Sequence, residues 1–179
     1  LAQRFHTPLP DEELAATTDA QWLAAIAKCV FAAGFRWRVI EAKWAGFEEA
    51  FFGFDPATIA GWGDDMVEAL SQDTRIVRNP QKIRSTFENA AFVHRHSEEH
   101  GGFGKFIADW DADDVVGLWD YLKVNASRLG GATGPRVLRH MGKDTFILTG
   151  DVEGHLADQG VLTGKATSKA QMNRAQDAF

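Results

Sequence analysis

The chain has 179 residues, 45% of them hydrophobic and 25% charged, which fits one ordinary globular domain and excludes a disordered chain or a collagen-like repeat. A chain of this length buries a sizeable core without staples, and its single cysteine, Cys29, excludes an internal disulfide or a zinc site built mainly from thiolates. The net charge of -6 argues against a uniformly basic nucleic-acid binder, and no apolar run reaches the ~18 residues of a membrane-spanning helix.

Residues 1–10 hold Pro8 and Pro10 without a period and read as an entering arm. The chain starts at Leu1 and stops at Phe179 in mid-pattern, so further residues are expected beyond either end. Thr18 or Asp19 caps a helix beginning near Ala20, because a short oxygen-bearing side chain accepts the orphan amide hydrogens of a first turn. Trp22, Ile26, Cys29 and Val30 then share one face. Gly34 interrupts that helix, and Phe35, Trp37, Val39, Ile40 and Trp44 continue a long apolar stretch. Phe47, Phe51 and Phe52 mark a short helix ending at Gly53, and Asp55-Pro56 starts the next.

Asp64 and Asp65 precede a short helix carrying Met66, Val67 and Leu70. Lys82 to His94 places Ile83, Phe87, Ala90 and Ala91 at helical spacing, and Glu98 to Gly104 reads as a charged, Gly-rich connector. Asp111, Asp113 and Asp114 favour the N-terminus of a helix with Val115, Leu118, Trp119 and Leu122. Leu129 to Pro135 carries three glycines and is the clearest turn signal in the chain, with Arg136 to Met141 as the second helix of a hairpin. No period-2 strand is convincing, since Thr145 to Leu148 spans only four residues. The expected fold class is all-α, with many short helices and no internal repeat.

Charge is unevenly placed. Residues 75–84 and 123–143 hold nine of the 19 Lys and Arg and none of the 25 Asp and Glu, so an acidic body carries two basic segments. They are either an anion site, if the fold brings them together, or two solvated basic stretches. Glycines at Gly130, Gly131 and Gly134 between two helices suit a turn whose backbone amides approach one phosphate, with Arg128, Arg136, Arg139 and Lys143 around it; a plain helix-helix turn has the same composition.

Four blocks in order and spacing resemble the 3-methyladenine DNA glycosylase I family of the helix-hairpin-helix glycosylases. They are Ala33-Gly34-Phe35-x-Trp37, Phe54-Asp55-Pro56, Arg75-Ile76-Val77-Arg78-Asn79 with Lys82-Ile83, and Asn89-Ala90. Gly142-Lys143-Asp144-x-Phe146 and Asp151-Val152 are similar to the wider superfamily. The resemblance implies a compact multi-helix helix-hairpin-helix glycosylase-like fold in a single domain over residues 1–179. It also implies a monofunctional hydrolase that flips alkylated purines such as 3-methyladenine out of double-stranded DNA, works as a monomer and uses no cofactor. Members of this family bind zinc through cysteines that are absent here, so no metal is expected. They also place a Glu in the base pocket eight residues before the pocket Trp; counting back from Trp37 gives Cys29, and Phe31 and Ala32 stand at the places of a Gln pair.

On these grounds the base pocket is expected at Trp37, Cys29 and Phe31, with Trp37 stacking on a flipped base. Asp151 stands where the superfamily puts a carboxylate facing the flipped nucleotide, although Gly150 to Glu153 also reads as a helix start. Glu41, one turn beyond Trp37, is the second candidate catalytic carboxylate, or else a surface partner of Arg38. DNA contacts are expected at Gly130, Gly131, Gly134, Arg136, Arg139, Lys143, Arg78 and Lys82. Of the three histidines, His96 and His100 share a helix face and His94 does not, which leaves a metal triad incomplete and favours a solvated surface cluster beside Glu98 and Glu99. With one free thiol and no signal segment, the expected setting is the cytoplasm, and no membrane partner is expected. Two other functions stay open: a DNA-binding paralogue without excision activity, which the thiol at Cys29 favours, and an all-helical protein-interaction domain.

Overall fold

Six of the twelve α-helices among the described residues begin at a short oxygen-bearing side chain that accepts a first-turn amide. A computed structural model describes residues 7–179; the first six residues of the expected arm lie outside the described residues. The helices are α1 (Asp11–Ala15), α2 (Asp19–Ala32), α3 (Trp37–Ala42), α4 (Trp44–Ala50), α5 (Pro56–Ile59) and α6 (Asp64–Gln72). After them come α7 (Pro80–His100), α8 (Phe103–Ala108), α9 (Val115–Asn125), α10 (Thr133–Met141), α11 (Gly150–Asp158) and α12 (Lys169–Gln176). Short 3-10 turns lie at Phe52–Phe54 and Ala112–Asp114, and no strand occurs among the described residues.

Thr18 caps α2 in a reciprocal box with Gln21. Asp55 caps α5 by accepting from the Thr58 amide, and Asn79 caps α7 by accepting from the Lys82 amide, each with a proline at the first helical position. The stretch from Phe35 to Trp44 is less regular than its apolar run implied, because the chain kinks at Lys43 between α3 and α4.

One expectation is corrected outright. Glu98 to His100 belongs to α7, which runs for 21 residues. The acidic cluster does not end it; Gly101 does, with φ of 77, and the amides of Gly101 and Gly102 both donate to the Ser97 carbonyl.

α2 and α7 cross through the middle and divide the buried residues into two clusters. On α2, Trp22, Ile26, Cys29 and Val30 enter one cluster with Phe103, Ile107, Leu118, Leu122 and Leu138. Leu23, Ala27 and Phe31 of the same helix enter the other, with Ile40, Phe47, Phe51, Phe54 and Ile59. α7 is shared in the same way: Ile83, Phe87 and Ala90 go to the second cluster, and Phe92 and Val93 to the first. A helix that is apolar on two faces is a central helix, which explains why the one-face pattern covers only half of α2.

His96 sits inside this frame, not on a surface. It is 2% exposed, its Nδ1 lies 2.8 Å from the Phe92 carbonyl and its Nε2 lies 2.7 Å from the Tyr121 hydroxyl. A carbonyl only accepts, so Nδ1 carries a proton, and the Tyr121 hydroxyl, which can both donate and accept, serves Nε2. Burial pushes its pKa below the ordinary histidine value, partly offset by the bond to Phe92. The unfolded chain therefore takes up a proton that the folded one refuses, so stability is full above about pH 6.5 and falls as pH drops below that. We expect the urea midpoint to fall between pH 7.5 and pH 5 and part of that loss to vanish in His96→Gln. A slope identical in both proteins would mean that His96 is protonated in the fold.

Candidate active site

The two clusters meet where α2 ends, and that ending is held by a buried lysine. The Lys82 ammonium, from the first turn of α7, donates to the carbonyls of Phe31 (3.1 Å) and Ala33 (2.6 Å). These are helix-end carbonyls without an intrahelical partner, and a cation there also meets the negative end of the helix dipole. Burial, followed by the charge of Arg128, lowers the Lys82 pKa. Past this closure Gly34 takes φ of 80, a left-handed value that costs a glycine little, and the chain turns to present Phe35 and Trp37.

A cavity of about 250 Å³ opens at this turn. Its lining comes from Cys29, Ala32 and Ala33 of α2, from Phe35 and Trp37, and from Thr133 and Arg136 of α10. It is a recess for one heterocycle, below the ~300 Å³ at which pockets for drug-sized ligands begin. Phe35 and Trp37 remain 47% and 38% exposed, so aromatic faces are open to an incoming group. Trp37 Nε1 donates to Glu41 Oε1 at 2.7 Å, and the Lys28 ammonium lies 5.4 Å from the Trp37 ring centroid and 4.9 Å from that of Trp44. The Cys29 thiol is pushed up to about 11 by burial, against the pull of Arg136 and then Lys28, so it is neutral.

The hairpin is fastened to α7 by a buried amide. Asn89, fully buried, donates through Nδ2 to the Ser127 carbonyl at 2.9 Å and accepts the Ser127 amide at 2.8 Å, as a neighbouring strand would. Arg128 follows with φ of 62, unusual for a side-chain-bearing residue, and its guanidinium donates to Gln81 Oε1. Gly131 also takes a positive φ, 60. A Cβ on Gly134 would lie 2.7 Å from the Leu129 carbonyl oxygen, so only glycine lets the second helix start this close to the first. Among the described residues the amides of Gly130, Gly131 and Ala132 meet no acceptor, whereas those of Thr133 and Gly134 close back on Gly130 and Leu129.

The structure brings Cys29, Trp37 and Arg136 together around one cavity, with Glu41 attached to Trp37. Phe31 stands elsewhere: it is fully buried in the second cluster, edge-on to Phe47 at 4.7 Å. Lys82 and Lys143 do not present their charge to solvent. Lys143 is 6% exposed and its ammonium lies 3.2 Å from the Trp110 carbonyl, just past the end of α8, as Lys82 serves α2. Arg139 donates to the Thr145 carbonyl and, with Lys143, lines a separate recess of about 630 Å³ that includes Phe146 and Phe179. Arg78 is exposed beside the Asn79 cap. Asp151 is exposed in the first turn of α11 behind the Thr149 cap, and it does not line the Trp37 cavity. His94 lies 3.7 Å from Glu98, while His96 is engaged by Phe92 and Tyr121. The residues gave no signal for Lys28, for Thr133 or for the anchoring role of Asn89, whose helix face also carries Lys82, Ser85 and Thr86.

The methyladenine glycosylase family model matches residues 11–130, well over half of the chain. Two solved structures of 3-methyladenine DNA glycosylase I from Staphylococcus aureus match with a TM-score of 0.64 at 20% identity. One concerns 3-methyladenine recognition and the other is a glutamate-to-glutamine variant; 77% of this chain is covered, and 80% and 81% of theirs. A tyrosine-to-phenylalanine variant of 3-methyladenine DNA glycosylase I in complex with 3-methyladenine matches with a TM-score of 0.63 at 21% identity, over 80% of this chain and 84% of that one. The family match stops at Gly130, so Arg136 and Asp151 lie outside it.

The two buried lysines yield a prediction that separates helix closure from DNA contact. Lys82→Met and Lys143→Met should each lower the unfolding free energy by about 1.5–3 kcal/mol, the worth of hydrogen bonds to a charged group. Neither should change the salt dependence of duplex binding. A loss of about one in the slope of log affinity against log salt would instead make that lysine a phosphate contact.

Proposed function

The chain belongs to the methyladenine glycosylase family, and from that premise we propose that it is a DNA base-excision hydrolase that removes alkylated purines from double-stranded DNA at the Cys29–Trp37–Arg136 cavity. The observation that carries this reading is the junction of a heterocycle-sized recess, with open aromatic faces, and a glycine hairpin with unpaired amides. The hairpin amides of Gly130 and Gly131 take one backbone phosphate, and Arg78, Arg128 and Arg136 add charge that positions the duplex without reading sequence. A purine lifted from the stack then lies against Trp37, with 3-methyladenine the reference lesion. The protein acts as a monomer in the cytoplasm, a compartment that suits its one free thiol.

Cleavage leaves oxocarbenium character on the sugar, which a carboxylate stabilises directly or through an oriented water. Glu41 is the carboxylate tied to the cavity, through Trp37 Nε1. Asp151 is the alternative, and it must reach the sugar from outside the cavity wall. The neutral thiol at Cys29 supports a second reading, a member that binds damaged DNA without excising from it.

Release of free base from alkylated duplex under single turnover tests the assignment. Release is expected from alkylated and not from intact DNA; lesion binding with no release would establish the second reading. Trp37→Ala should weaken lesion binding by roughly 1–3 kcal/mol, the worth of one stacked base, and leave binding to intact duplex unchanged. Equal losses on both duplexes would make Trp37 a packing residue. Of Glu41→Gln and Asp151→Asn, the one that slows release while leaving melting temperature and lesion affinity intact identifies the carboxylate, since each amide keeps size and loses charge.

A further inference from the structure

A lysine with no anionic partner stands behind the stacking residue. Lys28 of α2 is half-buried, and no carboxylate pairs with its ammonium among the described residues. It lies 5.4 Å from the Trp37 ring centroid and 4.9 Å from that of Trp44, so two indoles hold one cation. Glu41 and Glu48 serve the rings instead, accepting from Trp37 Nε1 at 2.7 Å and from Trp44 Nε1 at 3.0 Å. The pattern Trp-x-x-x-Glu thus occurs twice, on α3 and on α4, and a carboxylate at the indole N–H makes each ring richer in electrons and a better seat for the ammonium. Two glutamates against one ammonium leave the cluster net negative, a setting open to the cationic base that methylation at N3 of adenine produces in DNA.

The two indoles are not held alike. Trp44 stacks on Phe54 at 5.2 Å and on Phe47 at 5.6 Å, and Phe54 stacks in turn on Phe51 at 5.3 Å, which ties Trp44 to the second cluster. Trp37 opens α3, a six-residue helix with no side-chain cap whose one buried residue is Ile40, and Trp37 itself is 38% exposed. Its ring lines the cavity with Cys29 and Arg136, whereas Lys28 and Trp44 line a second recess that includes His140 and Met141 at the end of α10. The ammonium and an incoming base therefore reach the Trp37 indole from different recesses, and Lys28 joins the anchored ring to the loose one.

We propose that Lys28 is a positioning residue for base recognition: its ammonium, seated on Trp44, fixes the Trp37 indole in the orientation that stacks on a flipped purine. The proposal rests on the glycosylase site described above. A ring fixed before the base arrives loses less freedom on binding, so the gain falls on affinity for the lesion and not on the chemical step.

The test uses the whole chain and two duplexes of one sequence, with 3-methyladenine or adenine on a 2′-fluoro sugar that resists cleavage. The readout is the ratio of the two affinities, which cancels any general loss of DNA binding. Lys28→Met keeps the apolar stem, removes the charge and should lower the ratio by about threefold to tenfold, the worth of a cation–π contact. Lys28→Arg keeps a cation that stacks on aromatic faces and should hold the wild-type ratio to within about twofold. In a Trp37→Ala background Lys28→Met should change the ratio by less than about twofold, because both substitutions act on one ring. On a cleavable 3-methyladenine duplex under single turnover, Lys28→Met should raise the half-saturating concentration and leave the maximal rate unchanged. Lys28→Gln takes the place of Lys28→Met if the latter does not fold.

A ratio unchanged in the charge-free variant, an equal loss in Lys28→Arg, a full loss added to that of Trp37→Ala, or a fall in maximal rate alone would each overturn the proposal. Equal weakening on both duplexes with a shallower salt dependence would overturn it too, by making Lys28 a phosphate contact. Wild type without preference for the lesion duplex overturns the glycosylase site and this proposal with it; a wild-type preference that survives Lys28→Met overturns the proposal alone.

Discussion

One ammonium closes the helix on which the site is built. Lys82 binds the carbonyls of Phe31 and Ala33, and without that closure the end of α2 would expose unpaired acceptors between two hydrophobic clusters. Its position at the start of α7 couples the two central helices at the point where the chain must leave α2, turn at Gly34 and deliver Phe35 and Trp37. The Lys82 ammonium also lies 4.8 Å from the Phe35 ring centroid, so the group that ends the helix supports the first exposed aromatic beyond it. Lys143 repeats the arrangement at α8, where the carbonyls of Ala108 and Trp110 face its ammonium.

The second half of the cavity wall depends on Asn89. Its side chain pairs with both backbone groups of Ser127, which fixes where the hairpin leaves α9 relative to α7. Gly134 then allows α10 to start within contact of Leu129, and Thr133 and Arg136 reach the cavity from that start. The wall from α2 and the wall from α10 are thus referred to the same long helix by two buried polar groups, Lys82 and Asn89. Hydrogen bonds of this kind are costly to leave unmade, so they specify a single arrangement where apolar packing alone would tolerate several.

Local chemistry made much of this legible in the sequence. Thr18 and Asp55 cap where short oxygen side chains precede apolar periods, and the face Trp22, Ile26, Cys29, Val30 packs as its spacing implies. Tertiary context hid the rest. Leu23, Ala27 and Phe31 form a second buried face because α2 is central, and nothing in a 3.6-residue period says which of two apolar stripes meets a cavity. The resemblance puts Phe31 in the base pocket, at the place of a Gln, but as part of this second face it packs against Phe47 instead. Lys82 and Lys143 looked like phosphate contacts because composition counts charges without saying where their ammonium groups end. Cys29, Trp37 and Arg136 meet because the chain turns at Gly34 and again at Gly131, and no spacing rule spans the interval between those turns.

The division of labour between the basic residues follows from their shapes. An ammonium is a compact point charge on a flexible stem, suited to two converging helix-end carbonyls, and Lys82 and Lys143 are used that way. A guanidinium is a broad, weakly hydrated fork, and Arg78, Arg84, Arg128 and Arg136 stay at the surface, where an acidic chain needs local positive charge to meet DNA. Arg136 alone among them also lines the cavity. The inner wall of that cavity carries Cys29, whose burial keeps it uncharged, so the charge that lines the recess is the Arg136 guanidinium, which α10 delivers from just beyond the hairpin.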